Sequence, residues 1–505
     1  MRARVNDFLR EVIRGCVVTV GFVLTCVHRR RIRKFKARTP KPDRRTDGTY
    51  ALTSGSAGDP KRILYTSRRL RTVKFVFSDM FARACCAFRI QRTSLYVFSS
   101  FEPDESLTSL LLEEVDLPNY LATLQAPYRV QRHAAMRALA AEYGPTAVRL
   151  WLLTIANPGV LYATNPSTIS TFFDELTEHW GESSSLVRNW CKDHERFNAD
   201  IRKIARRLDS TGSQQRLQTV AASDGPVPLA VWAPAVEAYI CWTGGYVKPF
   251  LERLQKYLPP ARYRLIPMYS MSTETLETSS YFEKGDVLFL PLAPGVLFEF
   301  IDENDNFLGP TELQPGRLYE MVVTDRYGLR RYHTNDLFLC RRKIRTLPDL
   351  VFVRRRGLEY SFTGEKLTAE QCAIVFEQLR AQYPAVFANK YLTCVPSQSS
   401  SAIPHYKVLL VGERNADLEL DSLAARCDEL LCQVNCEYRA KRANGRLGSV
   451  AFIVTGTREF AERFAAHRGW ESQFKFLPLC PHLILSDESV SHKNTGTRGE
   501  IRFAL

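Results

Sequence analysis

The sequence predicts a mixed α/β and α+β fold: a large N-terminal domain of layered sheets and helices, and a smaller, mobile C-terminal α+β domain. A chain of 505 residues is too long for one hydrophobic core, which favours two domains. Helical periodicity dominates residues 104–210, whereas residues 286–353 form strand-like runs separated by Pro and Gly. From about residue 356 onward, helices and strands alternate, as in a compact second unit.

Residues 1–48 are predicted to form a basic N-terminal helix and linker. The apolar run at residues 15–27 is shorter than the roughly 20 residues that cross a bilayer, so we expect a buried helix packed on the first domain, with a membrane anchor as the alternative. Residues 28–45 then carry ten Lys or Arg and one acid. Residues 12–38 are therefore a candidate for peripheral membrane contact. Nucleic acid is not the expected partner, because no interleaved aromatic platform accompanies the charge.

Thirteen cysteines are scattered without paired metal spacing. An odd number without regular spacing indicates free thiols in a reducing compartment, so a cytoplasmic location is expected.

The pattern of the large domain predicts strands on both sides of a loop within residues 50–65, a helix at 67–88, and an exposed polar loop at 209–224. Further helices are predicted at 128–143, 146–156 and 168–180, and strands at 287–292, 296–301, 317–324 and 350–354. In the second unit, the pattern predicts helices at 368–382, 422–442 and 458–467, and strands at 406–411 and 449–454.

A first candidate site is the hydroxyl-rich and glycine-rich loop at residues 53–61. Its glycines let the backbone approach a ligand closely, while hydroxyls, successive N–H groups and a lysine can surround phosphate oxygens. The spacing is not that of a Walker loop, and a plain turn is the alternative. The candidate phosphate-binding residues are Thr53, Ser54, Gly55, Ser56, Gly58 and Lys61.

A second candidate site is the run Met268-Tyr269-Ser270-Met271-Ser272-Thr273-Glu274. Glu274 could bind Mg²⁺, a hard cation that prefers oxygen ligands and usually shares them with phosphates. Thr273 could contact a phosphate. An ordinary polar loop end is the alternative.

A third candidate site is the run Tyr332-His333-Thr334-Asn335-Asp336 after Gly328. A carboxylate such as Asp336, at the end of a strand and turn, can accept hydrogen bonds from both hydroxyls of a ribose. A hairpin turn in which the aspartate caps the backbone is the alternative.

Together and in this order, the three sites resemble the adenylate-forming enzymes, and more closely the auxin- and jasmonate-conjugating acyl-acid amido synthetases, the Gretchen Hagen family. The second site resembles the family's Tyr-Ala-Ser-Ser-Glu motif, and the third resembles its Tyr-Arg-x-Gly-Asp motif, with His333 in place of Arg and Asn335 in place of Gly. The likeness is strongest over residues 240–370. His333 is expected to hydrogen-bond to nucleotide or backbone.

The resemblance implies an adenylation domain at residues 49–355 and a C-terminal lid domain at 356–505. ATP with Mg²⁺ would convert a carboxylic acid to its acyl-adenylate, and an amine would then take the acyl group to give an amide, AMP and pyrophosphate. The implied catalytic residues are Lys475, Glu274 and Lys61, with Glu274 as metal ligand. The implied nucleotide-binding residues are those of the first loop together with Ser272, Thr273, Glu274, Tyr332, Asp336 and Arg354.

The resemblance leaves two other functions open. The acceptor could be a thiol, as in acyl-CoA ligases, or the chain could be a non-catalytic nucleotide-binding or membrane-anchored protein. The substrates expected are ATP, a small carboxylic acid and an amine, and the protein is expected to be monomeric. The sequence does not identify the acid. The aromatic residues Trp151, Tyr162, Phe172 and Phe173 are candidates for its pocket, although core packing is the stronger expectation.

Overall fold

The computed structural model describes residues 1–43, 45–52, 62–103, 105–112, 119–244, 247–269, 271–356, 358–363, 365–397, 403–412, 419–457, 459–460 and 477–481. The α-helices are α1 (Arg2–Arg33), α2 (Ser67–Ala87), α3 (Leu107–Leu111), α4 (Tyr120–Gln125), α5 (Ala134–Tyr143), α6 (Pro145–Ala156), α7 (Pro166–Glu178), α8 (Trp180–Ser183), α9 (Ser185–Lys192), α10 (Ala199–Leu208), α11 (Ser213–Ala221), α12 (Leu229–Trp232), α13 (Lys248–Tyr257), α14 (Ala369–Gln382), α15 (Pro384–Phe387), α16 (Leu420–Val434) and α17 (Cys436–Ala443).

The strands are β1 (Gly48–Leu52), β2 (Arg62–Thr66), β3 (Leu95–Val97), β4 (Val160–Tyr162), β5 (Ala238–Trp242), β6 (Arg264–Met268), β7 (Ser279–Glu283), β8 (Asp286–Leu290), β9 (Val296–Ile301), β10 (Phe307–Leu308), β11 (Leu318–Asp325), β12 (Tyr332–Ile344), β13 (Leu347–Arg355), β14 (Glu359–Tyr360), β15 (Leu367–Thr368), β16 (Tyr391–Ser397), β17 (His405–Val411) and β18 (Ala451–Thr455). Short 3₁₀ helices lie at Pro127–Arg132 and His194–Arg196.

A four-stranded parallel sheet in the order β3-β4-β5-β6 forms the centre of the large N-terminal part. Helices cover one face, and α2 with the β7-β8 hairpin covers the other. A parallel sheet buried on both faces has apolar strands without alternation. Because β3 and β4 have only three residues each, the surrounding helical pattern concealed them in the sequence.

A five-stranded antiparallel sheet in the order β10-β9-β11-β12-β13 packs against the carboxyl end of the parallel sheet. An aromatic cluster joins the two sheets. The Trp242 ring at the end of β5 lies 5.3 Å from Phe352 on β13, and the Tyr269 ring just after β6 lies 5.5 Å from Phe338 on β12. The cluster therefore brings the second and third candidate sites to the same part of the molecule.

The N-terminal helix α1 is longer than the apolar run that predicts it, because the basic residues that follow the run continue the helix. Arg30, Arg31 and Arg33 lie in its last turn, where positive charge suits the helix dipole. One face of α1 packs on α2, and Gly21 is needed there, since a Cβ would lie 2.1 Å from the Ala82 carbonyl oxygen. The opposite face is exposed, so the prediction of a buried helix is correct for one face only.

The polar segment at 209–224 was expected to be an exposed loop, and this prediction is wrong. Residues Ser213–Ala221 form α11, which buries Leu217 and Val220 in the main core. Arg216 on this helix donates from Nε to the Thr154 carbonyl oxygen at 3.0 Å, which satisfies an otherwise open carbonyl near the end of α6. Two apolar residues one turn apart were too weak a signal among polar neighbours.

Two predicted helices are interrupted in the structure by capping side chains. His133 ends the 3₁₀ helix and caps α5 through Nδ1, so the helix predicted at 128–143 is split. Asn435 splits the helix predicted at 422–442, since its Oδ1 accepts from the Tyr438 N–H at 2.8 Å. Of the helix predicted at 458–467, almost all lies outside the described residues.

The C-terminal part has its own core, formed by α14, α16 and one face of the β16-β17-β18 sheet. A smaller cluster joins the other face of this sheet to α13, where the Phe250 ring lies 5.2 Å from Tyr391. The boundary predicted at residues 355 and 356 stays a prediction. All thirteen cysteines lie within the described residues and none is in a disulfide, which agrees with the predicted thiols.

Candidate functional site

The second candidate site is a tight loop at the carboxyl edge of the parallel sheet. The Ser272 N–H donates to the Thr275 carbonyl oxygen at 3.0 Å, and the Thr275 N–H donates to Ser272 Oγ at 3.3 Å. Glu274, at the tip of this turn, is 8% exposed. Ligands of open α/β sheets bind outside the carboxyl ends of the strands, at the position that this loop occupies.

Two residues that the sequence did not single out join the β1-β2 hairpin to this loop. Tyr65 donates from its hydroxyl to the Thr273 carbonyl oxygen at 2.8 Å. Arg69, at the start of α2, donates to the carbonyl oxygens of Glu274 and Leu64, and lies 3.9 Å from the buried carboxylate of Asp325. Since β1 and β2 pair from Gly48–Thr66 to Leu52–Arg62, both ends of the loop at 53–61 are fixed beside the second candidate site.

Glu277 is a further site residue that the sequence did not reveal. Its side chain is fully buried, and neither carboxyl oxygen has a hydrogen-bond partner of good geometry among the described residues. Burial, together with the negative charges of Asp336 and Glu274, raises its pKa to about 8, although the hydroxyls of Tyr269 and Ser272 oppose the rise. Because the charges of Glu274 and Asp336 both act on this one carboxyl group, the second and third sites border one acidic centre.

We expect the raised pKa of Glu277 to make unfolding depend on pH. The folded chain keeps a proton on Glu277 up to pH of about 8, whereas the unfolded chain loses it near the ordinary value of 4.5. Protonation therefore stabilises the fold below that ordinary pKa, and the stabilisation is lost as the pH rises to about 8.

Glu277→Gln should remove this dependence. The melting temperature of the variant minus that of the parent should therefore increase as the pH is raised from 5 to 8, roughly the window between the two pKa values. Thermal unfolding of both proteins across this range is the measurement. The exposed Glu283→Gln is the control, with no such trend. A constant difference between the Glu277 variant and the parent would contradict the assignment.

The third candidate site contains a bulge that places Asp336. From His333 to Leu337, β12 advances four residues while β11 advances only two, from Val322 to Glu320. Asn335, in the bulge, has a left-handed backbone with φ of +59°. Asparagine adopts this conformation more readily than other residues with a Cβ, so it can take the place of the family's glycine. The Asn335 carbonyl oxygen then accepts from the Arg356 N–H at 2.6 Å.

The left-handed backbone of Asn335 predicts an ordered series of stabilities. Asn335→Gly should keep the parent's stability, whereas Asn335→Val should lower it by about 1 to 2 kcal/mol, because a branched Cβ is disfavoured at positive φ. Thermal unfolding measures the series. Asn304→Val, in an exposed loop without positive φ, is the control. Equal stability of the Gly and Val variants at position 335 would contradict this account of the bulge.

Glu320 connects the third site to the predicted hinge between the two domains. Its carboxylate is 3% exposed, with Oε1 lying 2.9 Å from His333 Nδ1 and Oε2 accepting from Arg356 Nη1 at 2.8 Å. His333 thus contacts a buried carboxylate, a partner that the sequence did not suggest, and its expected hydrogen bond to nucleotide or backbone stays a prediction. Since Arg356 also reaches the bulge through its N–H, the chain leaving β13 is attached to the third site at two points.

The residues assigned from the sequence differ in how far the structure describes them. Ser272, Thr273, Glu274, Tyr332 and Asp336 are described and lie at the second and third sites. Arg354 pairs with Leu337 through the backbone, and its side chain is not described. Lys475 and the whole of 53–61 lie outside the described residues. The aromatic residues considered for an acid pocket, Trp151, Tyr162, Phe172 and Phe173, are buried in the core, as expected.

The acidic centre suits a hard cation shared with a ligand. Within the described residues, no group of three or more His, Cys, Asp or Glu side chains is arranged to hold a metal alone. Glu274 and the buried carboxyl of Glu277 are oxygen donors, and Mg²⁺ is commonly held by one or two carboxylates together with phosphates and water. The donor chemistry thus fits Mg²⁺ delivered with a phosphorylated substrate.

Comparisons with known proteins agree with the resemblance found in the motifs. Residues 289–355 match the GH3 family central domain. The jasmonoyl–L-amino acid synthetase GH3.5 of Oryza sativa subsp. japonica is 27% identical over 290 residues, which cover 50% of this chain and 46% of that protein. The indole-3-acetic acid-amido synthetase GH3.4 of Arabidopsis thaliana is 24% identical over 258 residues, which cover 46% and 42% of the two chains. The chain therefore spans less than half the length of these curated relatives.

The fold is that of solved GH3 proteins. The AtGH3.15 acyl acid amido synthetase in complex with 2,4-DB superposes with a TM-score of 0.66 at 16% identity, over 95% of this chain and 92% of that one. A second structure of the GH3.15 acyl acid amido synthetase gives a TM-score of 0.63 at 16% identity, over 84% and 79% of the two chains. The predicted fold class, with a large N-terminal and a smaller C-terminal part, is confirmed.

Proposed function

Because this chain carries the GH3 family central domain and has the fold of an acyl acid amido synthetase, we propose that it is an ATP-dependent acid–amine ligase. It adenylates a carboxylic acid and transfers the acyl group to an amine, with release of pyrophosphate and then AMP. One observation carries the proposal: the ring of Tyr269, in the second motif, lies 5.5 Å from Phe338, which follows the third motif, and stacks on Phe352 at 5.7 Å. Two motifs separated by about 60 residues thus border one centre, as binding a single nucleotide requires.

In the first half-reaction, a carboxylate oxygen of the acid attacks the α-phosphorus of ATP and pyrophosphate leaves. Asp336 accepts hydrogen bonds from the ribose hydroxyls, with Tyr332 and Arg354 beside the nucleotide, and Ser272 and Thr273 contact the α-phosphate. The loop at 53–61, with Lys61, holds the outer phosphates. Such a transfer is accelerated by positioning and by stabilising negative charge. Tyr65 and Arg69 join the end of the β1-β2 hairpin to the Thr273–Glu274 turn.

Glu274 is the proposed ligand of Mg²⁺, with the Glu277 oxygens behind it. When bound, the ion neutralises phosphate charge. Its positive charge would also favour the ionised form of Glu277, whose proton is otherwise retained because of burial and the negative charges of Asp336 and Glu274. Lys475, on the C-terminal domain, is proposed to stabilise the charge of the α-phosphate.

In the second half-reaction, the amine nitrogen attacks the acyl carbon of the adenylate, loses a proton and forms the amide, while AMP leaves. The C-terminal domain would turn about residues 354–356 between the two steps and keep water from the adenylate. The contacts of Arg356 with Glu320 and with the Asn335 carbonyl oxygen support a hinge that responds to the nucleotide. The same chemistry up to the adenylate would serve a thiol acceptor, which is the second candidate function.

The test of the proposed function is exchange of labelled pyrophosphate into ATP across a panel of carboxylic acids, with magnesium present. Exchange with at least one acid, and capture of the adenylate by hydroxylamine, is the expected result. The enzyme is then given the best acid together with either amino acids or coenzyme A. Formation of an amide indicates the acid–amine ligase, and formation of a thioester indicates the enzyme with a thiol acceptor. A protein that binds ATP but never exchanges would instead be a non-catalytic nucleotide-binding protein. A cytoplasmic monomer remains the expectation.

A further inference from the structure

The outer face of α1 is apolar and has no partner among the described residues. Exposed side chains recur along it at helical spacing: Phe8, Val12, Val20, Phe22, Val23 and Val27. Phe22 is 63% exposed and Val23 is 54% exposed. No charged residue occurs between Arg14 and Arg29. Isolated exposed apolar residues are ordinary, but a continuous stripe of this kind marks an interaction surface.

The inner face of α1 is fixed to the body along its length. Near its start, Asn6 donates to the Asp209 carbonyl oxygen at 2.9 Å, and Arg10 donates to the Leu208 carbonyl oxygen at 2.6 Å. Further along, Gly21 lies against the Ala82 carbonyl, and His28 is buried beside Tyr281. Among the helices of the described residues, α1 is the one that is long and apolar enough to cross a membrane. A helix held by these contacts lies along the protein instead, with only its outer face available.

A basic cleft continues this apolar face at the end of α1. The cleft has a volume of about 830 Å³ and lies between residues 27–41 and the β8–β9 region. Its described lining has seven basic side chains and no acidic one, among them Arg30, Lys34, Lys36, Lys41 and Arg326. The floor is apolar, with Leu292, Val296 and Phe298. Val27 and Arg30 are exposed on α1 and also line the cleft, so the stripe and the cleft form one surface.

We propose that this surface docks on an anionic phospholipid membrane, with the outer face of α1 in the interfacial region and lipid phosphates at the basic cleft. Apolar side chains on one helix face flanked by cations suit helices that lie in the plane of a membrane. Each Lys or Arg near an anionic leaflet strengthens binding about fivefold. Nothing in this docking surface depends on the proposed ligase activity, since α1 contributes no residue to the acidic centre.

The test is flotation of the full chain with vesicles of phosphatidylcholine, with or without phosphatidylserine. The chain should float with the phosphatidylserine vesicles, remain behind with the neutral ones, and be released by high salt. Arg30→Ala with Lys34→Ala should weaken binding roughly 25-fold, from the loss of two cations near the surface. Phe22→Ser with Val23→Ser should abolish flotation. These side chains are exposed, so folding and pyrophosphate exchange should be unchanged.

Two matched controls distinguish binding through the α1 surface from nonspecific binding to vesicles. Ile374→Ser removes an apolar side chain exposed on α14, and Lys203→Ala removes an exposed cation on α10. Neither should alter flotation. Equal binding to both vesicle types, or binding that survives the paired substitutions in α1, would overturn the proposal. So would resistance to salt and alkaline extraction, which indicates a membrane-spanning helix, or a dimer that Phe22→Ser dissociates without any vesicle binding.

Discussion

Asp336→Ala is expected to lower acid-dependent pyrophosphate exchange by about 10² to 10⁴-fold. Hydrogen bonds to a charged acceptor contribute about 1.5 to 3 kcal/mol each, and the proposed role of Asp336 gives it two, one to each ribose hydroxyl. Exchange should be measured with ATP and with 2′-deoxy-ATP. The parent should prefer ATP, and the variant should lose this preference, because the residue that distinguishes the two nucleotides is gone.

The same substitution should leave the protein folded. Asp336 repels the neighbouring Glu277, so its removal lowers the pKa of Glu277 and favours the native state above neutral pH. Glu303→Ala, in an exposed loop of the same sheet, is the matched control and should retain full exchange. If Asp336→Ala still prefers ATP over 2′-deoxy-ATP, the ribose assignment is wrong even when the total activity falls.

Arg69→Leu is expected to give the largest loss of stability, about 3 to 5 kcal/mol, which is the usual cost of removing one partner of a buried ion pair. Arg69 is 5% exposed and lies between the rings of Tyr65 and Tyr327, with Asp325 at 3.9 Å. Without it, the donors left to the carboxylate of Asp325 among the described residues are the backbone N–H groups of Tyr327 and Leu329. Chemical denaturation followed by fluorescence measures the loss.

Arg71→Leu is the control for Arg69→Leu. Arg71 lies on the same helix and is exposed, with a hydrogen bond to the Ser67 carbonyl oxygen at 3.3 Å. Its removal should change the free energy of unfolding by less than about 0.5 kcal/mol. The Michaelis constant for ATP should rise in Arg69→Leu alone, because Arg69 joins the carbonyl oxygen of Leu64 on β2 to that of Glu274. Similar losses in both variants would show that the buried network around Arg69 has no special role.

Candidate sites were easier to propose from the sequence than the sheets were to predict. Glycines, hydroxyls and carboxylates in a fixed order are local features, so the second and third candidate sites could be proposed without knowing the fold. Strands such as β3 and β4, with three residues each, are stabilised by neighbours far away in the chain. The helix α11 was missed for the same reason. Its few apolar residues form no clear helical pattern in the sequence, and they are buried by packing against α6 and α9.

What the sequence by itself determined is the family resemblance, the order of the motifs and the basic, partly apolar N-terminus. Tertiary structure alone decided which side chains meet. Glu277 is an ordinary carboxylate in the sequence, and its raised pKa results from burial beside Asp336, 59 residues away. Arg69 and Glu320 likewise act through partners on other elements of the fold. Charge and desolvation depend on distance in space, which spacing along a chain does not record.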